Sequence, residues 1–271
     1  MSLTTKLFFA LAVVAHCSLA SATTISISPT KDTTIFSENN NAAGSNEVLH
    51  IGVNTMNRTR RSLMQFDIAG QVPSGATITG VTLNVHLNAS DVNTTRTLEL
   101  HKVTSAWGDV MVGTGGATGM SGMGFAAVAG TTTWTNRIHS GTPWTTAGGD
   151  FNPASSGTFL FVPPLAAINP LMSEPAYSFS SAGMAADAQN WLNNPAVNFG
   201  WMLINPDPTP STLYRFSSNE RSVLAYRPTL TVDFFVPAPA PEPSSVLLIG
   251  CMIPAMLMSA RRRRLSQPVA A

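Results

Sequence analysis

Residues 81–88 read VTLNVHLN, and this stretch decides the fold class. Val81, Leu83, Val85 and Leu87 alternate strictly with polar residues. Such a period of two is typical of a β-strand with one buried face and one face toward solvent. The pattern therefore predicts a half-buried strand and, with it, a sheet that packs on an apolar core.

The same alternation returns at Leu98/Leu100 and across residues 230–234. Residues 62–68 (SLMQFDI) and 200–204 (GWMLI) are apolar on both faces, which indicates central strands. A single helix is predicted over 185–192, where small and large apolar residues form a short stripe. No alternation of strands with helices is visible. We therefore predict an all-β fold, a two-sheet antiparallel jelly-roll-like sandwich with one short helix.

Composition agrees with such a fold and excludes one class of partner. Charged residues make up only 11% of the chain, and 20 Gly and 19 Pro supply many turns. The net charge of +1 is misleading, because four basic residues lie in the run 261–264. Residues 23–236 contain ten Lys or Arg and thirteen Asp or Glu, so this part of the chain is mildly acidic. A nucleic-acid partner is not expected, since phosphate binding needs a clustered basic surface.

The N-terminus has the three parts of a secretory signal peptide. Lys6 precedes the apolar run 7–15, and Ala20 and Ala22 complete a small-residue cleavage site. We expect residues 1–22 to be removed after Ala22. Lipidation at Cys17 is the weaker alternative, because His16 occupies a position that needs a small residue.

The C-terminus combines a Pro-rich linker (237–245), an apolar segment (246–260) and a basic tail (261–271). The apolar segment is shorter than the ~20 residues of a comfortable membrane span. With Pro241, Glu242 and Pro243 before it, this order resembles the PEP-CTERM sorting signal. The resemblance implies processing by an exosortase, transient anchoring in the inner membrane, and delivery to the cell surface or extracellular matrix. An ordinary tail anchor is the alternative.

The body, 23–236, resembles the DNRLRE-type domain, a secreted β-sandwich family related to polysaccharide-binding modules. Short motifs in a fixed order carry this resemblance: 49–52, 61–67, 107–109, 133–137, 144–151, 191–200, 215–220 and 227–230. The resemblance implies a sandwich and contact with polysaccharide. Trp107 is followed by Gly108-Asp109 where the family pattern has an acidic W-x-E form, so a ligand role for Asp109 is not carried over.

The candidate binding residues are Trp134, Arg137 and Trp144, in a stretch rich in Thr and Gly. Flat aromatic rings stack on the C–H faces of sugars, and polar neighbours fix the ligand. The alternative is that both tryptophans anchor a loop to the core. Alanine at the two positions separates these alternatives, through lost binding or lost stability.

A second group of charged residues also has two interpretations: Arg58, Arg60 and Arg61 with Asp67, and Arg215 with Glu220. They could bind acidic sugars, but we expect them to pair with one another as local Arg–carboxylate ties.

No catalytic residue is assigned, because the body has neither a nucleophile elbow nor a zinc-binding histidine motif. No cofactor is expected. A structural calcium ion remains open, with Asp32 and Asp150 as donors, although no D-x-D-x-D spacing supports it. Cys17 and Cys251 are the two cysteines of the chain, so the body has no disulfide.

These observations favour an exported, non-catalytic protein of the cell envelope or extracellular matrix that binds polysaccharide. The second hypothesis is a structural surface spacer or assembly module without glycan binding. The third is a polysaccharide hydrolase or lyase, since any two of thirteen acids could form a catalytic pair.

Overall fold

A computed structural model describes residues 22–91, 93–112, 122–164, 173–207 and 209–237. Residues Ser21–Val236 form one compact unit. Ala22 is the first residue of the first strand. The rest of the predicted signal peptide, including Ala20, lies outside the described residues, as do the Pro241–Pro243 motif and the apolar segment 246–260. Within the described ranges no helix has the length and hydropathy to cross a bilayer.

Thirteen antiparallel strands form the framework of the unit. Eleven of them form one large curled sheet, and β7 and β8 form a small second sheet. The all-β sandwich prediction is confirmed, but the two layers are continuous through hydrogen-bonded strands rather than separate sheets. The strands are β1 Ala22–Ile27, β2 Pro29–Phe36, β3 Val48–Val53, β4 Thr59–Phe66, β5 Thr77–Ser90, β6 Arg96–Lys102, β7 Asn136–Ile138, β8 Thr142–Pro143, β9 Gly157–Phe161, β10 Ala176–Ser180, β11 Trp201–Ile204, β12 Tyr214–Ser217 and β13 Thr229–Phe235.

The stretch that decided the fold class lies within β5, the longest strand. Leu83 is opposite Leu230 of β13 on one side and Phe179 of β10 on the other. The four alternating apolar residues of this stretch are all buried, as the pattern predicted. Asn88 departs from the pattern: it is buried too, because its amide donates a 2.8 Å hydrogen bond to the buried Glu174 carboxylate.

The two stretches predicted as central strands are central. β4 pairs with β2, β3 and β11, and β11 lies between β4 and β6. Every residue of β11 is buried. Trp201 and Leu203 contribute to the main core, whereas Met202 and Ile204 contribute to a second apolar cluster. Because successive side chains of a strand point to opposite faces, this sheet is covered on both sides.

The predicted helix is present and begins three residues earlier than expected. Helix α2 spans Ala182–Asn193, and Ser181 caps it by accepting a 3.1 Å hydrogen bond from the Met184 amide. Trp191 packs against Trp201, with ring centroids 4.5 Å apart, so the helix seals one end of the main core. A four-residue helix, α1 (Ile68–Gln71), follows β4 and was not predicted.

Candidate functional site

In the segment between β6 and β9, the described residues 103–112 and 122–156 cover the outer face of the sheet. Two of its three tryptophans, Trp107 and Trp144, are buried and pack with Ile35, Leu63 and Met202, which point away from the main core. Trp134, Phe151 and Phe199 pack on this second cluster and are partly buried. The outer face of the sheet is therefore an apolar interface with this segment and not a free platform.

Trp144 is not available for stacking on a sugar. Only 4% of its surface is exposed, and its Nε1 donates a 3.0 Å hydrogen bond to the Thr133 carbonyl. The expectation of an exposed pair of rings is wrong for this residue, because the apolar strand face beneath the segment needs a large side chain to cover it. Trp134 is half-buried.

Arg137 ties loops together through hydrogen bonds to backbone groups. Its Nη1 donates a 2.8 Å hydrogen bond to the Ala106 carbonyl. Its own carbonyl accepts hydrogen bonds from the Gly108 amide and the Thr132 hydroxyl. The contacts of Arg137 are thus those of a residue that fixes the Trp107 loop.

An open groove of about 460 Å³ lies at the edge of this segment. Its lining combines hydroxyl groups, one carboxylate, one guanidinium and one aromatic ring. The lining residues are Arg61, Thr104, Ser105, Thr145, Thr146, Ala147, Gly149, Asp150, Phe151 and Pro153.

Arg61 is the cation of the groove. It extends from β4, and its Nη1 donates a 2.7 Å hydrogen bond to the Gly148 carbonyl. Its guanidinium carbon lies 5.2 Å from the Trp134 ring centroid and 5.3 Å from that of Phe151. No carboxylate of the described chain forms an ion pair with it, and its buried Nε has no hydrogen-bond acceptor there. Burial lowers the pKa of Arg61, which remains a cation.

Asp150 also lines the groove. Its carboxylate accepts hydrogen bonds from the Thr145 and Thr146 amides, each at 3.1 Å, and from the Ser105 hydroxyl at 3.2 Å. Burial acts to raise the pKa of Asp150, but these hydrogen bonds outweigh it and hold the pKa below its usual range. Asp150 is therefore an ionised residue that fixes the Thr145–Thr146 turn. With its oxygens bound to these donors, it does not resemble a free calcium donor.

The prediction that these charged residues pair with one another is wrong, because the arginines that form ion pairs have other partners. Arg60 pairs with Glu38 at 2.6 Å, and Arg215 pairs with Asp91 at 3.4 Å. Asp67 instead caps α1 through the Gly70 amide, because it lies beyond the end of β4 that is remote from Arg60. The partners come from distant parts of the chain, so sequence proximity did not identify them. Arg58 lies exposed before β4.

Three carboxyl groups meet beside β2, away from any arginine or lysine ion pair. Asp32 is 1% exposed and contacts the Glu220 carboxyl group. Asp109 accepts a hydrogen bond from the Asp32 amide, and burial raises its pKa to about 7. Burial, followed by the Glu220 charge, also raises the pKa of Asp32 well above its usual range. In the described ranges no three His, Cys, Asp or Glu side chains are spaced to hold one metal ion together.

The strand that carries Arg61 lies in a segment that is similar to a known protein family. Residues 23–113 match the sequence model of carbohydrate-binding module family 96. This match runs from β1 to beyond β6 and includes Arg61, whereas Trp134, Asp150 and Phe151 follow it. No curated protein matches the chain. The first part of the sandwich is thus similar to family 96. The lining residues of the groove between 145 and 153 lie outside the matched segment.

Proposed function

We propose that this is an exported, non-catalytic protein that binds polysaccharide in the groove between Arg61 and Asp150. The observation that carries the proposal is Arg61, a half-buried guanidinium that lines an open groove and has no ionic partner within the described part of the chain. Leaving a partly desolvated charge unpaired is unfavourable, so such a group is best explained by a ligand that completes its contacts. The similarity of residues 23–113 to family 96 supports a carbohydrate as that ligand.

The chemistry of the lining suits a sugar chain. Phe151 and Pro153 offer apolar surface for sugar C–H groups. Thr104 and Thr146 are exposed residues, and their hydroxyls can donate to or accept from sugar hydroxyls. A groove that is open to solvent accommodates the interior of a polymer as well as its ends.

Arg61 favours acidic sugars over neutral ones. A guanidinium forms two parallel hydrogen bonds to a carboxylate, and the partly buried setting strengthens them. We therefore propose that the ligand carries carboxylate groups, for example uronic acid residues. Asp150 opposes this preference weakly, because the amides of Thr145 and Thr146 and the hydroxyls of Thr145 and Ser105 already stabilise its charge.

Affinity gel electrophoresis with acidic and neutral polysaccharides tests the proposal. We expect the purified protein to be retarded most by an acidic polymer. The variant Arg61→Gln should bind at least about tenfold more weakly, since a hydrogen bond to a charged group contributes about 1.5–3 kcal/mol. Arg58→Gln removes the same charge from an exposed position outside the groove and should bind like the wild type. Retardation by none of the polymers would sink the proposal.

We also propose that the two ends of the chain direct export and sorting. The signal peptide pattern of 1–22 and the Pro241-Glu242-Pro243 motif before an apolar segment support an exosortase substrate that reaches the cell surface or matrix. Mass spectrometry of the protein from its host should find a mature N-terminus at Thr23 and loss of the apolar tail. Full-length protein in the cytosol would contradict this route.

A structural spacer remains the second candidate, and one observation favours it. Trp144 is buried, so one of the two tryptophans first considered for binding serves stability instead. The Arg61→Gln comparison distinguishes the candidates, because a spacer has no binding to lose.

A further inference from the structure

A second open groove, of about 430 Å³, lies where β6 begins and β9 ends. It shares no described lining residue with the groove beside Arg61. Thr97 of this second groove and Thr104 of the first are seven positions apart along an extended chain, which corresponds to roughly 20 Å. We name the second one the Leu160 groove. Its lining residues are Thr95, Arg96, Thr97, Leu160, Pro206 and Asp207.

The two charged groups of the Leu160 groove balance each other. The Nε of Arg96 lies 3.1 Å from Oδ2 of Asp207, and both side chains are 29% exposed. Oδ1 of Asp207 accepts a 2.9 Å hydrogen bond from the Thr209 amide. Hydrogen bonds from Thr209, followed by the charge of Arg96, lower the pKa of Asp207, so its carboxylate is ionised. The groove therefore presents donors and acceptors with no net charge.

The groove also presents apolar surface to solvent. Leu160 is 74% exposed although it lies in β9, the strand at the edge of the large sheet. It is directly opposite Thr97 of β6, so the two side chains share one face of the sheet. Pro206 is exposed as well. Apolar surface beside a few convergent polar groups in a concave site is characteristic of ligand binding.

A buried hydroxyl lies near the ion pair of this groove. The Tyr214 ring is fully buried and packs edge-on against Phe161, the neighbour of Leu160, with ring centroids 4.8 Å apart. Its Oη has no hydrogen-bond partner among the described residues. Burial raises the pKa of Tyr214 to about 12, and the charges of Arg96 and Asp207 also act on it, which places the hydroxyl close to them. A protonated donor without an acceptor shows that hydrogen bonding beside the groove is incomplete in the free protein.

We propose that the Leu160 groove binds a neutral polysaccharide. The Arg96 guanidinium can donate to one sugar hydroxyl while the Asp207 carboxylate accepts from the next, and Leu160 covers the C–H face of the ring. Because the charges of the groove cancel, it gives no preference to sugars that carry carboxylates. The match of residues 23–113 to family 96 includes Thr95, Arg96 and Thr97 and supports a carbohydrate as the ligand.

Two grooves with different preferences would allow one molecule to join two polymers. This consequence rests on the proposed function, because the acidic polymer would occupy the groove beside Arg61. The Leu160 groove itself needs only a neutral polymer. With both grooves occupied, the protein would cross-link polysaccharides of a matrix, and each bound polymer would keep the second groove close to further chains.

Affinity gel electrophoresis of the purified full-length protein with a β-glucan, a galactomannan and a xylan tests the site. At least one of these neutral polymers should retard the wild type. Leu160→Ser should bind it at least about fivefold more weakly, since the ligand loses apolar contact area. Val162→Ser removes an exposed apolar residue outside the lining and should bind like the wild type. Arg61→Gln should also keep this binding, so failure of the acidic site leaves the result unchanged.

The variant Tyr214→Phe separates a ligand contact from a structural role. Because Oη has no partner among the described residues, the variant should keep the Tm of the wild type and bind the neutral polymer more weakly. Size-exclusion chromatography of the wild type and Leu160→Ser detects a second copy of the chain at this exposed edge. The proposal is overturned if no neutral polymer retards the wild type, or if neither Leu160→Ser nor Tyr214→Phe weakens binding. A wild-type dimer that Leu160→Ser dissociates would also overturn it.

Discussion

At the residue scale, Gly200 shows how close two segments of backbone approach. It precedes β11 with φ of +74°, and an added Cβ would overlap the Met64 carbonyl oxygen of β4. Gly75 has a similar φ of +78°, but nothing lies within 4 Å of the position of its Cβ. The two glycines thus share the left-handed conformation and differ in the space around them.

We expect Gly200→Ala to lower the free energy of unfolding by about 3 kcal/mol or more, since strain adds to a backbone clash. Gly75→Ala should cost only about 1 kcal/mol, through strain alone. Urea denaturation of both variants measures the difference. Equal costs would show that the clash at Gly200 relaxes freely.

His50 makes stability depend on pH. It is 1% exposed on β3, and burial, followed by the charges of Arg60 and Arg215, lowers its pKa to about 3. The unfolded chain binds a proton near pH 6.5 and the folded chain does not. The stabilisation is therefore full above pH 6.5 and is lost as the pH falls toward 3.

Between pH 6.5 and 5, His50 alone should remove about 2 kcal/mol of stability, at about 1.4 kcal/mol per pH unit. The variant His50→Gln cannot titrate, so its unfolding free energy should fall by that much less over the same interval. Denaturation curves at the two pH values check this. Parallel losses in wild type and variant would contradict it.

At the scale of the element, helix α2 depends on its N-cap residue, Ser181. The Ser181 hydroxyl accepts from the Met184 amide and donates to the Ser156 carbonyl at 2.6 Å, so it joins the helix to the start of β9. Ser181→Ala should cost about 1–2 kcal/mol in urea denaturation. Ser155→Ala, at an exposed serine nearby, should change stability by less than about 0.5 kcal/mol. A neutral Ser181→Ala would mean that water replaces the cap.

Strands and helices could be predicted from the sequence where a buried face repeats apolar residues at a regular spacing. The alternation in β5 and the stripe of Ala188, Trp191 and Leu192 in α2 identified a strand and a helix, because both face the main core. The start of α2 was missed, since its first turn carries the small residues Ala182 and Gly183 and depends on the Ser181 cap. Helix α1 has only four residues and no apolar stripe, so the pattern could not indicate it.

The candidate site was less predictable than the strands. Arg61 was recognised as a charged candidate, but its position between two rings depends on a segment that is distant in sequence. The carboxyl groups of Asp32 and Glu220 likewise meet although the two residues are almost two hundred positions apart in the chain. A usable signal existed for Asp32, because it stands in the otherwise uncharged stretch DTTIF of a buried strand.

At the scale of the whole molecule, stability comes from two apolar clusters on opposite faces of one sheet. Trp144 is one of the two buried tryptophans of the second cluster, and removal of a buried Trp typically costs about 3–5 kcal/mol. Trp144→Ala should therefore lose about that much in denaturant titration. Trp134→Ala should lose less, because Trp134 is only partly buried. Wild-type stability in Trp144→Ala would show that the covering segment contributes little.

The two faces of the sheet carry separate sets of buried side chains, so substitutions in one set need not affect the other. β11 sends Trp201 and Leu203 to one side and Met202 and Ile204 to the other, so each cluster can change its side chains without disturbing the other. Substitutions in the covering segment can thus accumulate while the architecture persists. Homologues should keep the inner set of residues and diverge around the groove, which would let one scaffold acquire different sugar preferences.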